Sequence, residues 1–203
     1  MFSYIDPILF PDQLKVYELT PGQHVYPIYK NASTTIGRNA IRELNYFDIR
    51  KLQEVDVYLR DPFERYVSGV QTYLSHHPEL DRETALKFID EFLFLNSHFS
   101  LQFHWVVNLS RMSEARYHFR HVDELKSVTH EVWNALTRDQ ALVDRFQDHS
   151  KLHYYLQLDK ILYNEFMGES VTIRAIGRHI KDKYPYLYRE IIERSQAICN
   201  ALD

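Results

Sequence analysis

Two strand–helix units follow one another in the first third of this 203-residue chain, and that succession constrains its fold more than any other feature. Residues 54–60 (EVDVYLR) are the clearest strand, with Val55, Val57 and Leu59 alternating with more polar positions. Asp61-Pro62 follows, and proline suits the first position of a helix, where its missing N–H has no partner to lose. Phe63, Tyr66, Val67, Val70 and Leu74 then form an apolar stripe at helical spacing. Upstream, residues 24–30 (HVYPIYK) read as a short strand distorted at Pro27, and residues 33–44 as a helix with Ile36, Ala40, Ile41 and Leu44 on one face. Strand, helix, strand, helix predicts an α/β fold built on a small parallel sheet with a right-handed crossover.

The remainder reads as helix-rich. Residues 116–121 (RYHFRH) fit a third strand, and 103–109 fit either a helix or a strand. Asp81 is placed to cap a helix carrying Ala85, Phe88, Ile89 and Phe92, and Asp123 to cap another. Thr137 and Gln140 have capping-box spacing. Residues 150–167 read as one helix stopped by Gly168, and a last helix starts at Pro185. The first 23 residues, with Pro7, Pro11 and Pro21, read as an irregular lead-in. With no repeat or polar linker, the chain predicts one domain, an α/β core over 24–122 and a helical extension over 123–203.

A net charge of -4 argues against a broad surface for nucleic acid. The N-terminus has no basic start, and no run of 18 apolar residues occurs. A soluble cytoplasmic protein with no membrane partner is expected. The single cysteine, Cys199, excludes an intrachain disulfide. His149 and His153 are four apart, but no HExxH pattern or third ligand accompanies them, so no metal is expected.

Two segments carry chemistry. In Lys30-Asn31-Ala32-Ser33-Thr34-Thr35 a strand ends, small residues follow and a helix begins. The open N–H groups of a helix start attract anions, hydroxyls add donors, and Lys30 adds a mobile positive charge. The strand–loop–helix is P-loop-like, yet the Walker A pattern is absent. In Arg60-Asp61-Pro62-Phe63-Glu64-Arg65-Tyr66-Val67-Ser68, Arg60 ends a strand and Ser68 lies two turns into the next helix, off the apolar stripe. Arginine at the carboxyl end of a parallel strand suits two-pronged phosphate binding. A structural role competes for each: Ser33 as an N-cap, Lys30 as a solvated charge, and Arg60 paired with Asp61 or Glu64.

These two segments resemble the sulfotransferase superfamily, and among its members the carbohydrate-type branch (Golgi enzymes and bacterial relatives). YKNASTTI is similar to that family's 5'-phosphosulfate loop, and VYLRDPFERYVSGV to its 3'-phosphate motif, with Arg and Ser eight apart. His98 and Gln102 resemble a later His-x-x-x-Gln element. The match spans roughly residues 25–75. It implies 3'-phosphoadenosine 5'-phosphosulfate (PAPS) as donor and a carbohydrate or small-molecule hydroxyl as acceptor, with no metal. Lys30 would contact the 5'-phosphate and the bridging oxygen. Asn31, Ala32, Ser33, Thr34 and Thr35 would surround the 5'-phosphate, and Arg60 and Ser68 would hold the 3'-phosphate. Tyr29 stands where proline is common, and the stretch from Lys30 to Arg60 lacks the histidine that some compact relatives carry. The base is therefore sought in His98, with Glu43 and Asp48 behind it. An ATP phosphotransferase and a non-catalytic nucleotide-binding domain are the competing expectations.

Overall fold

The structure, a computed structural model, describes residues 15–94, 96–127, 129 and 137–192. Cys199, Pro7 and Pro11 lie outside the described residues. The fold is mixed α/β. Among the described residues, six strands form one open sheet in the order β3-β1-β2-β4-β5-β6. They are β1 (Tyr17–Thr20), β2 (Gln23–Tyr26), β3 (Arg42–Glu43), β4 (Glu54–Leu59), β5 (Arg116–His121) and β6 (Ser170–Val171).

Only the centre of the sheet is parallel. β2 pairs parallel with β4, and β4 parallel with β5, while β1–β2, β1–β3 and β5–β6 are antiparallel. The expected parallel sheet is thus corrected to a mixed one. Its first strand falls inside the expected irregular lead-in. Pro21-Gly22 turns the chain back, with Gly22 at φ 81°, a conformation that costs glycine little, so β1 and β2 form a hairpin.

β2 is shorter than expected and stops at Tyr26, because Pro27 has no N–H to offer the ladder. The following helix, α1 (Ser33–Asn39), ends five residues before Leu44. Sheet pairing claims the rest: Ile41 N–H donates to Glu18 O at 2.8 Å and Leu44 N–H to Val16 O at 2.8 Å, which leaves Ile41 61% exposed. A short α2 (Tyr46–Ile49) leads into β4.

β4 is the central strand, and its alternation sorts two cores. Val55, Val57 and Leu59 join Tyr117 and Phe119 of β5 against the larger helical layer, while Tyr58 faces a smaller cluster of Leu19, Val25, Ile36 and Leu125. The larger layer contains α3 (Pro62–His76), α5 (Gln102–Ser110), α6 (Gln140–Gln147), α8 (Gln157–Glu165) and α9 (Ile173–Lys183). α5 is the segment that fitted either state. Eight of its nine residues are buried, so no polar face marks its period.

Asp81 caps α4 (Arg82–Glu91) as expected, by accepting from Thr84 N–H at 2.8 Å, although Phe88 is exposed. α6 is capped by Asp139 rather than Thr137. Asp123 lies within a 3-10 turn (Val122–Ser127) instead of capping it. Residues 150–165 form two helices, α7 (Ser150–Tyr155) and α8, broken at Leu156. His149 caps α7, and His153 bonds Gln147 O, so neither imidazole is committed to a shared ligand set. Among the described residues beyond 123 the chain is mostly helical but returns β6 to the sheet. At Pro185 a short α10 (Pro185–Leu187) begins.

α3 approaches the segment 96–100 closely at Gly69. A methyl group there would sit 2.2 Å from the backbone oxygen of His98. In an open helix, Gly→Ala gains up to about 1 kcal/mol of propensity. Here the overlap dominates. Gly69→Ala is expected to lower unfolding free energy by about 1–3 kcal/mol in urea titration; a gain in stability would contradict the packing.

Candidate functional site

Because β2 and β4 are adjacent and parallel, the chain leaves both at the same sheet edge, the edge at which ligands collect in α/β folds. The turn after β2 is tight. Asn31 N–H donates to Ile28 O at 3.0 Å, and Lys30 and Ala32 both take left-handed backbone conformations, φ 68° and 59°. For residues with a Cβ this costs on the order of 1–2 kcal/mol each. The buried Asn31 side chain holds the turn: its amide donates to Tyr58 O at 2.7 Å and to Gln102 Oε1 at 2.5 Å. α1 then starts at Ser33, and its N-cap residue, Ala32, provides no side-chain bond.

After β4, Asp61 caps α3 by accepting from Glu64 N–H at 2.9 Å, with Pro62 in the first turn. Arg60 is half-buried. Among the described residues its guanidinium has no hydrogen bond or ion pair. Ser68, also half-buried, faces the same space from two turns into α3. One turn further, Thr72 accepts a 2.6 Å hydrogen bond from Lys30 Nζ.

These groups line one cleft of about 1300 Å³. Lys30, Ala32, Ser33, Thr34, Thr35, Arg60, Ser68 and His98 all border it. Asn31 does not; its side chain turns inward. Nor do the other two base candidates. Glu43 is exposed on β3 and pairs with Lys15 at 2.9 Å, while Asp48 on α2 pairs with Arg42 at 3.2 Å and borders a different depression. Six Lys or Arg and three Asp or Glu line the cleft, a local excess of cations in a chain of net charge -4. Two of those acids are neutralised by neighbours, Glu64 by Arg138 and Asp123 by Lys126.

Burial sets the electrostatics. It brings the Lys30 ammonium down to about 8, assisted by repulsion from Arg65 and Arg60. It also brings the His98 imidazole down to about 4, assisted by Lys30, His76 and Arg65. The His98 ring stacks on Tyr29 at 5.3 Å and meets His76 edge-on at 5.7 Å. Its Nδ1 is buried without a partner among the described residues.

Three supporting residues carry no chemistry in the sequence reading. Gln102 was noted only as the end of the His98 element. Buried in α5, it accepts from Arg60 N–H at 3.1 Å and donates to Arg60 O at 2.9 Å while holding Asn31. Asp159 of α8 is buried and accepts from the N–H groups of Gln102 and Phe103, both at 2.8 Å, so it caps α5 from a distant helix. Burial raises its carboxyl to about 6, against the opposing pull of Arg65 and these N–H donors. Arg65 is the third. A signal for it existed: Arg65, Gly69 and Thr72 lie four and three apart, a helix face of small residues around one cation.

Neither family models, nor curated proteins, nor solved structures give a match to this chain. Among the described residues, no helix is long and apolar enough to cross a membrane, and no three His, Cys, Asp or Glu gather as a metal-binding group.

The His98 imidazole makes stability depend on pH. Its folded value, about 4, lies below the ordinary 6.5, so between these limits the unfolded chain binds a proton that the folded protein does not. Its contribution is complete above pH 6.5 and is lost as the pH falls toward 4. Urea midpoints of wild type and His98→Gln are expected to diverge between pH 7 and pH 4.5, with the wild type falling more. Parallel pH profiles would show that His98 is not desolvated.

Proposed function

We propose that this protein binds PAPS and transfers its sulfonate group to an acceptor hydroxyl, on a sugar or a small metabolite. The observation that carries the proposal is the convergence on one cation-rich cleft of Lys30 and Ser33–Thr35, from the loop after β2, with Arg60 and Ser68, from the loop and helix after β4. These are the groups that resemble the 5'-phosphosulfate loop and the 3'-phosphate motif. A P-loop-like reading of β2, its turn and α1 belongs to the same proposal.

In this reading the acceptor oxygen attacks sulfur in line with the leaving 5'-phosphate oxygen. As the new S–O bond forms, the old one breaks, and charge develops on the leaving oxygen. Lys30, protonated at neutral pH, neutralises it. Among the described residues the Arg60 guanidinium has no competing hydrogen bond or ion pair, which leaves it to take the 3'-phosphate as a two-pronged ion pair. His98 is neutral at pH 7 and accepts the acceptor's proton. Burial is the larger cause of the low His98 basicity; the negative donor beside Lys30 offsets the smaller part that comes from the neighbouring cations.

One observation favours a second reading, a nucleotide-binding domain without transfer. With its imidazole down at about 4 and its Nδ1 buried, His98 is a weak base. Turnover of PAPS with a panel of hydroxyl acceptors separates the two readings. Binding of 3',5'-adenosine bisphosphate in preference to ATP with Mg²⁺ separates both from a phosphotransferase.

Two substitutions test the assignment of roles. Arg60→Ala should weaken 3',5'-adenosine bisphosphate by about 1.5–3 kcal/mol in calorimetry, roughly 10- to 150-fold, and leave AMP nearly unchanged. Equal losses for both nucleotides would remove Arg60 from the 3'-phosphate. Lys30→Ala should lower kcat by a larger factor than it weakens the bisphosphate, since its main work comes as the leaving oxygen gains charge. An equal loss in both would make Lys30 a binding group alone.

A further inference from the structure

The most buried cation in the described structure is Arg65, and it lies beside the cleft rather than in it. It is 1% exposed. Its Nε donates to Tyr29 O at 2.9 Å, and one terminal nitrogen donates to Ser100 O. The other terminal nitrogen is buried without a partner among the described residues. Tyr29 immediately precedes Lys30, and Ser100 is two residues past His98. One turn along the same face of α3, Gly69 receives the backbone of His98 itself.

We propose that Arg65 is a positioning residue, whose guanidinium fork ties the turn after β2, which carries Lys30, to the segment carrying His98 and sets the relation of these two groups in the cleft. The role in turnover rests on the sulfonate-transfer reading; the positioning does not. Only arginine has a planar fork that reaches two backbone carbonyls from one buried origin. Stability alone does not account for the charge, because apolar residues fill a buried site as well or better than an ion pair. The nearby Asp159 carboxyl offsets part of the cost of burying it. Its field also reaches the cleft. Lys30 faces Arg65, Arg60 and His98, and His98 faces Lys30, His76, His77 and Arg65; Arg65 depresses both groups.

Two variants separate geometry from charge. Arg65→Lys keeps a cation beside Asp159 and loses the fork. The pair Arg65→Met with Asp159→Asn removes both charges and keeps a hydrogen-bond acceptor at the start of α5. The first readouts need no nucleotide: the ring-current shift of the His98 imidazole against Tyr29 by NMR, and the pH dependence of Lys30 acetylation by acetic anhydride, followed by mass spectrometry. Arg65→Lys is expected to fold and to lose the stacked His98 signal. The neutral pair is expected to move the Lys30 midpoint from near 8 toward the ordinary lysine value of about 10.4. With PAPS and an acceptor, Arg65→Lys is expected to lower kcat at least about tenfold while KM for PAPS changes less than about threefold. A folded Arg65→Lys with the wild-type His98 signal overturns the proposal, and so does a folded neutral pair with an unmoved Lys30 midpoint. Failure of Arg65→Lys to fold makes Arg65 structural and equally overturns it. If wild type binds no 3',5'-adenosine bisphosphate, the nucleotide reading fails, and the two readouts without nucleotide still decide the role of Arg65.

Discussion

One buried amide, that of Gln102, holds together the two chain segments on which the cleft depends. Its oxygen accepts from Asn31 and from the Arg60 backbone, and its nitrogen donates back to Arg60 O. The loops after β2 and β4 are thereby tied to a single point at the start of α5. Each loop has a reason to need tying. The first carries two left-handed residues that have a Cβ, and the second leaves the sheet at Arg60, whose guanidinium has no partner among the described residues. An unpaired buried polar group costs about 1–3 kcal/mol, and Asn31 Oδ1 is one such group among the described residues. Asp159 extends the network by holding the N–H groups of Gln102 and Phe103, which fixes α5 against α8.

The same arrangement explains why the cleft is electropositive in an acidic chain. Acids elsewhere are neutralised locally: Asp56 by Arg120 and Gln23, Asp90 by Arg145, and Glu165 by His179 and Lys183. At the cleft, among the described residues, Lys30 is bonded only to a neutral hydroxyl, Arg60 is unpaired, and Arg65 stands behind them. Three cations that repel one another in partly dry surroundings carry an electrostatic cost, which in the proposed reading the charges of the nucleotide donor would relieve.

His98 shows how packing and chemistry oppose each other. The close approach of α3 at Gly69 and the stack on Tyr29 seat its ring firmly at the cleft wall. The same burial strips it of water and, with Lys30 nearby, withholds the proton. The seat that fixes the ring therefore also lowers its affinity for a proton.

The alternation in residues 54–60, the Asp61-Pro62 helix start and the apolar stripe of α3 determined the central strand and the helix after it, because there the local period and cap agree with the packing, whereas tertiary contacts overrode the pattern of residues 33–44 and the capping signature at Thr137. The segments around Lys30 and Arg60 stood out because hydroxyls, small residues and cations cluster there within a few positions. The first hairpin, the early end of α1 and the state of α5 were decided only by tertiary structure. β3 exists because its backbone pairs with the sequence-distant β1, and α5 is buried on nearly every side, so its hydrophobic pattern has no period to read. Tertiary structure likewise turned Asn31 away from the cleft, moved Glu43 and Asp48 out of its reach, and brought Gln102, Asp159 and Arg65 beneath it. Those three act through contacts 35 to 71 residues apart in sequence. A buried polar residue declares its role through the partner it meets, and separations of that length are closed only by the fold.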